Sequence, residues 1–213
     1  MKFGHYFCAA VLLVLVSCST NTKLTSSWKD DKAPKKRYNK IMVLGIIREK
    51  DRSLRQELET NFVDNLKSMG YNAVSAMAEY GPKSFERVEE EQVADRLKKS
   101  GYDAVITVSL LDKQKEQSYT PATVSYEPYT QLYYGRFGRY YTTIYDRVYT
   151  PGYYNTDTKY FLESNLYDIS NGDLVYSGQT KSFDPTSSEA LASDNSKRIL
   201  KDMKEKKILA GNY

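Results

Sequence analysis

A five-residue pattern occurs twice in this chain, 31 positions apart: Gly70-Tyr71-Asn72-Ala73-Val74 and Gly101-Tyr102-Asp103-Ala104-Val105, each directly after a lysine-bearing polar stretch. A glycine there takes the left-handed conformation just past a helix C-terminus and hands the chain to a strand. The surrounding segments agree. Ile41-Met42-Val43-Leu44-Gly45-Ile46-Ile47 is a continuous apolar run of the kind found in a strand buried on both faces, mid-sheet. Leu54, Leu58, Phe62, Leu66 and Met69 recur at helical spacing, with Ser53 and Gln56 placed for a capping box and Gly70 as the stop. A second helix is predicted from about Val88 to Ser100, with Val93 and Leu97 inward. The strand after it, Asp103 to Leu111, turns Ala104, Ile106, Val108 and Leu110 to one face. Strand, helix, strand, helix, strand at this spacing requires right-handed parallel crossovers. Leu44-Gly45-Ile46-Ile47 holds neither G-x-G-x-x-G nor a P-loop, so the glycines read as structural.

Beyond Asp112 the texture changes. Residues 119–160 carry 12 of the 20 tyrosines together with Pro121, Pro128 and Pro151, which makes regular structure doubtful there. Strand character returns at Tyr160–Asp168 and Leu174–Thr180 around Asn171-Gly172, an antiparallel hairpin whose glycine supplies the positive φ of a tight reversal. Thr186 with Glu189 reads as a capping box opening a last helix, with Ala192, Ile199 and Met203 inward and a basic end at Lys204, Lys206 and Lys207. The fold class expected is α/β: a single domain over 38–213 with a mixed sheet, its parallel βαβαβ half followed by an antiparallel hairpin and a C-terminal helix. The tyrosine-rich stretch, 119–159, is an insertion.

At the other end, Lys2 precedes ten residues without a polar side chain, Phe7 to Val16, the layout of a secretory signal over residues 1–17. Such a run is too short to span a bilayer, which takes about 20 apolar residues. Leu15-Val16-Ser17-Cys18 resembles the lipobox of bacterial lipoproteins, which implies acylation of Cys18 as the new N-terminus and a lipid-anchored address in the cell envelope. Ser19 after the cysteine is similar to the proteobacterial signal for the outer membrane. Residues 18–37 then read as a tether of mostly polar residues, in which the alternation of Leu24, Ser26 and Trp28 suggests an edge strand and Trp28 is expected to pack on the domain.

Cleavage after residue 17 prunes the chemistry. It removes His5, the only histidine, and Cys8, while acylation occupies Cys18, the other of the two cysteines. Histidine-dependent hydrolase triads and zinc sites built on His or Cys are thereby excluded, and packing alone must stabilise the domain. Losing Lys2 leaves 30 basic against 27 acidic residues, too balanced a charge to argue for nucleic acid. No cofactor or metal is expected.

Thr25-Ser26-Ser27-Trp28-Lys29, the Lys40 to Ile47 strand, the Gly-Tyr-Asp-Ala-Val strand, Tyr119-Thr120-Pro121 and Leu162-Glu163-Ser164-Asn165-Leu166-Tyr167-Asp168, in that order, resemble an uncharacterised family of bacterial lipoproteins described as a domain of unknown function. More distantly, the alternating strands and helices are similar to the N-terminal domain of TolB and to envelope assembly lipoproteins, including activators of peptidoglycan synthases. The resemblance implies a partner-binding envelope protein and carries no catalytic residues.

Function is best sought in Tyr133-Tyr134-Gly135-Arg136-Phe137-Gly138-Arg139-Tyr140-Tyr141, where aromatic faces adjoin two guanidinium groups. Tyr133, Tyr134, Arg136, Arg139, Tyr140 and Tyr141 are candidates for a partner or ligand surface; tyrosines packed on the sheet are the alternative. The expected role is non-enzymatic binding of envelope proteins, with glycan or peptidoglycan binding as the second reading. A glycosidase comes third, because Asp103, Asp112, Glu116, Asp146, Glu163 and Asp168 lie near strand ends or loops without a spacing that singles out a pair.

Overall fold

A computed structural model describes residues 21–32, 37–48, 51–82, 90–135 and 138–209, with the backbone alone described at 90–91 and 126–148. The signal and Cys18 lie outside these residues. The chain forms two compact units, Met1–Lys113 with Lys159–Tyr213, and Gln114–Thr158.

The first unit is built on a six-stranded sheet. In chain order its elements are β1 (Thr22–Lys29), β2 (Lys40–Ile46), α1 (Arg52–Ser68), β3 (Asn72–Ser75), α2 (Ala76–Tyr80), α3 (Glu90–Lys99), β4 (Ala104–Thr120), β7 (Tyr153–Asp168), β8 (Leu174–Phe183) and α4 (Ser188–Glu205), with β5 (Thr123–Gly135) and β6 (Gly138–Thr150) between β4 and β7. The strand order is β1-β8-β7-β4-β2-β3. β2 runs parallel to both β3 and β4, and β8 is antiparallel to β7 and β1. This is the mixed α/β sheet expected, with the apolar run inside it from Ile41 to Ile46. Both glycine echoes close helices: Gly70 and Gly101 have φ of 83° and 77°, and Tyr71 and Tyr102 donate their backbone N–H back to Leu66 and Leu97.

Alternation along β2 feeds two cores. Ile41 and Val43 join Ala104, Ile106, Val108, Leu162 and Leu166 beneath α1 and α4, whose Leu58, Phe62, Leu66, Leu191, Ile199 and Met203 are buried there. Met42 points the other way, to Ala76, Leu97, Tyr102, Val105 and Ile169, so α2 and α3 cover the opposite face at the β2–β4 side. Fully burying one such Leu, Ile or Phe contributes about 1.5–3 kcal/mol.

Local signals were displaced in three places. The first helix begins after Asp51 with no side-chain cap, so the Ser53–Gln56 box is not used; Arg55 and Glu59, described below, secure that end instead. Ser187, one residue past Thr186, caps α4 by accepting from the Ala190 N–H at 3.0 Å. A bulge in β1 between Leu24 and Ser26 turns Leu24 to the core and sets Trp28 opposite Ser177, where the indole is 50% exposed rather than packed.

The second unit overturns the expectation of irregular backbone at 119–160. β5 and β6 pair antiparallel from Thr123↔Thr150 to Gly135↔Gly138. Tyr, Thr and Val favour strands. Pro121 and Pro151 fall in the connections, while Pro128 sits in a strand of a two-stranded sheet, where a missing donor is tolerated.

One buried polar cluster ties α4 to the sheet. The Tyr176 hydroxyl donates to Asp202 at 2.9 Å, and Lys206 donates to the same carboxylate and to Ser27 of β1. Gly178 makes room for the Tyr176 ring, since a Cβ there would meet its hydroxyl and lie 2.8 Å from Ile199 Cδ1. Burial raises the Asp202 carboxyl, but hydrogen bonds from Lys206, Ser27 and Tyr176 and the Lys206 charge outweigh it and hold it below the usual carboxylate range. Burial, then the bond to Asp202, raises the Tyr176 phenol well above its ordinary value of 10.0. A depressed carboxylate stabilises the fold above its unfolded pKa and loses that contribution as pH falls through the folded value. The raised phenol contributes below pH 10.0 and loses it above. Stability measured by urea unfolding should therefore fall at both extremes, with Asp202→Asn flattening the acid limb and Tyr176→Phe the alkaline one.

Candidate functional site

The connections leaving β2 and β3 diverge: β2 leads into α1 on one face of the sheet, β3 into α2 on the other. Such a divergence opens a crevice at the carboxyl ends of parallel strands, the usual place for a ligand in an α/β sheet. A cleft of about 470 Å³ lies there, lined by Leu44, Gly45, Ile46, Ile47, Arg48, Arg55, Pro82 and Val93. A second of about 480 Å³, sharing Ile46 and Arg48, continues over Asp51, Leu110, Leu111, Asp112 and Lys113.

The rear of the first cleft is held by Glu59. Its side chain is fully buried and accepts four hydrogen bonds: Gly45 N–H at 2.9 Å, Arg55 Nε at 3.1 Å, Ser75 Oγ at 2.6 Å and Met77 N–H at 2.8 Å. These donors come from β2, α1, the end of β3 and the start of α2, so one carboxylate ties four elements together. Ser75 also caps α2, accepting from Ala78 N–H at 3.1 Å, and Arg55 Nη1 donates to the Pro82 carbonyl at 3.0 Å. A side chain at Gly45 would meet Arg55 Cγ at 2.7 Å. Arg55 is thus committed to the framework, and Arg48 is the exposed cation of the cleft. Neither α2 nor this cluster is evident from periodicity. The available signal is a lone acid, Glu59, inside the apolar stripe of Leu58, Phe62 and Leu66, four residues after an arginine.

Of the carboxylates singled out from sequence, Asp103, Asp112, Glu163 and Asp168 accept hydrogen bonds within the fold. Asp103 accepts from Asn39 N–H at 2.7 Å and Lys40 N–H at 3.1 Å; Asp168, fully buried, accepts from Ser170 N–H at 2.9 Å and Ser170 Oγ at 2.6 Å at the β7–β8 turn. Glu163 accepts from Asn165 and Gln179 across β7 and β8. Asp112 accepts from the adjacent Lys113 N–H, Glu116 lies on an exposed stretch of β4, and Asp146 stands opposite Glu127 in the β5–β6 register. Among the described residues, no group of His, Cys, Asp and Glu could hold a metal ion.

In the second unit, the register sets Tyr133 opposite Tyr140, Tyr134 opposite Arg139 and Leu132 opposite Tyr141, which gathers five of the six candidate positions at the tip of the β5–β6 hairpin; Arg136 lies outside the described residues. Tyrosines not singled out from sequence are plainly on the surface: Tyr119, Tyr149, Tyr153 and Tyr154 are each more than half exposed. The Tyr119 and Tyr154 rings sit 4.8 Å apart, tilted by 42°. Among the described residues, no helix is long and apolar enough to cross a membrane.

No family model matches the chain, and no curated protein matches it. Among solved structures, it is similar to the PelC dodecamer from Paraburkholderia phytofirmans, at 9% identity and a TM-score of 0.45 over 84% of this chain and 94% of that one. It is similar also to lipoprotein GNA1162 from Neisseria meningitidis, at 12% identity and a TM-score of 0.42 over 78% of this chain and 99% of that one. At these values neither likeness assigns a function, which rests on the chain's own residues.

Proposed function

We propose that this chain is a lipid-anchored envelope protein without enzymatic activity, whose tyrosine-rich unit binds a protein partner. The observation that carries this reading is the exposure of Tyr119, Tyr149, Tyr153 and Tyr154 on one small all-strand unit. Tyrosine offers a rigid apolar face with a polar tip, and exposed aromatic surface marks interaction sites. β5 and β6 form a sheet of two strands among the described residues, so each has an outer edge able to pair with another chain. Two-stranded hairpins are marginal alone, and a partner strand would stabilise this one. That need for backbone pairing favours a protein over a glycan. The membrane address comes from Leu15-Val16-Ser17-Cys18, and Ser19 favours the outer membrane.

Crosslinking in cells followed by mass spectrometry tests the reading. Wild-type protein should yield a defined heterologous adduct, lost several-fold when Tyr119, Tyr149, Tyr153 and Tyr154 are changed together to Ser. Recovery only as an unattached monomer would count heavily against it. Retention on purified cell wall that the same substitutions abolish would move the assignment to glycan.

A further inference from the structure

Resting on the lipoprotein reading, we propose that the β5–β6 hairpin crosses the bilayer and pairs edge to edge with the same hairpin of further copies of this chain. Together they close a barrel whose inner wall carries Glu127 and Asp146. The lengths fit. β5 and β6 hold 13 residues each and stay in register from Thr123↔Thr150 to Gly135↔Gly138, whereas a tilted spanning strand needs about 9–11.

Alternation sorts this ladder into two unlike faces. One has no acid and two cations, Arg147 opposite Tyr126 and Arg139 opposite Tyr134. Those pairs lie eight positions apart on β6, about 27 Å along the strand. Between them the face carries only Pro, Thr, Leu and Tyr. The outer face of a membrane barrel has the same layout, an uncharged band about 25 Å tall with aromatic girdles at both borders, where arginines extend to headgroups. The second face holds both acids of the hairpin, with Gln131 beside them in the alternation. Glu127 stands directly opposite Asp146, a like-charge pair that destabilises an isolated ladder and is hydrated in a water-filled lumen.

The need for further copies follows from the backbone. A sheet of two strands leaves a row of N–H and C=O groups unpaired along each edge, and hydrocarbon satisfies none of them. Closure removes the edges. The smallest membrane barrels have about 8 strands, or about four such hairpins. Pro128 forgoes one bond of the ladder. Acylation confines the copies to one surface and so raises their effective concentration; an unacylated chain keeps its lone hairpin out of the bilayer.

The acylated chain has no other thiol once Cys8 is removed, so an introduced cysteine is uniquely labelled. The full lipidated protein, extracted from its own membrane and reconstituted in phosphatidylethanolamine–phosphatidylglycerol vesicles, would carry bimane at Thr130→Cys or Gln131→Cys, adjacent positions on opposite faces. A nitroxide placed in the acyl chains should quench the label at 130 several-fold more than that at 131, and aqueous iodide should do the reverse. Planar bilayers holding the wild type should conduct cations in preference to anions, as rings of acids dictate, and the preference should fall several-fold in the double variant Glu127→Gln, Asp146→Asn. Equal quenching by iodide at both positions and none by the nitroxide, on protein that has incorporated labelled palmitate at Cys18, would overturn the insertion alone. The heterologous adduct rests on Tyr119, Tyr149, Tyr153 and Tyr154, outside the span between Arg139 and Arg147, and would stand. Alternating quenching without conductance would overturn the closed barrel. Absence of palmitate from Cys18 would overturn the lipoprotein reading and the insertion with it.

Discussion

Glu59→Ala is expected to destabilise the first unit by about 3–5 kcal/mol, the cost of breaking a buried ion pair by removing one partner. At roughly 2–4 °C per kcal/mol for a domain of this size, the melting temperature should drop by about 6–20 °C. The cost has a definite origin. The carboxylate accepts from two backbone amides, Gly45 and Met77, from the Ser75 hydroxyl and from the Arg55 guanidinium. Deleting it strands the buried donors and takes the counter-charge from Arg55, whereas removing Arg55 leaves the carboxylate its other three donors. Arg55→Met should therefore cost much less, and the double variant should be milder than the sum, because the stranded cation is gone. Thermal and urea unfolding followed by circular dichroism would measure all three. A loss below about 1 kcal/mol for Glu59→Ala would mean that water reaches these donors readily.

Cys18→Ala should abolish acylation and shift the protein from the membrane pellet to the soluble fraction, or leave it as unprocessed precursor. The magnitude follows from chain length: each buried CH₂ contributes about 0.8 kcal/mol, so two or more acyl chains hold essentially all of the protein at equilibrium, while none holds only what the protein surface can. Labelled palmitate incorporation and fractionation of wild type and variant check this, and continued labelling of the variant would show that the lipobox has been misread.

The framework of the first unit was legible because its signals are local and repeated. The 31-residue echo marks two helix ends, and both glycines adopt the positive φ expected. The stripe Leu54, Leu58, Phe62, Leu66 and the alternation Ala104, Ile106, Val108 are buried as their periods require. Less legible was the tyrosine-rich stretch, whose prolines read as breakers although two of the three lie in turns and the third in a hairpin strand. Trp28 was misjudged for a nonlocal reason: the bulge that turns it outward exists only in the pairing of β1 with β8.

By sequence alone, then, the alternation of strands and helices was determined, since it depends on residue types at short spacing; the expected export signal, and the chemistry it would leave open to a mature chain without histidine, rest on patterns of the same short range. Tertiary structure decided where those pieces meet. It set strand order and placed Glu59 among donors 14 to 18 residues away in sequence. Such juxtapositions arise from pairing between distant segments, and short-range periodicity does not encode them.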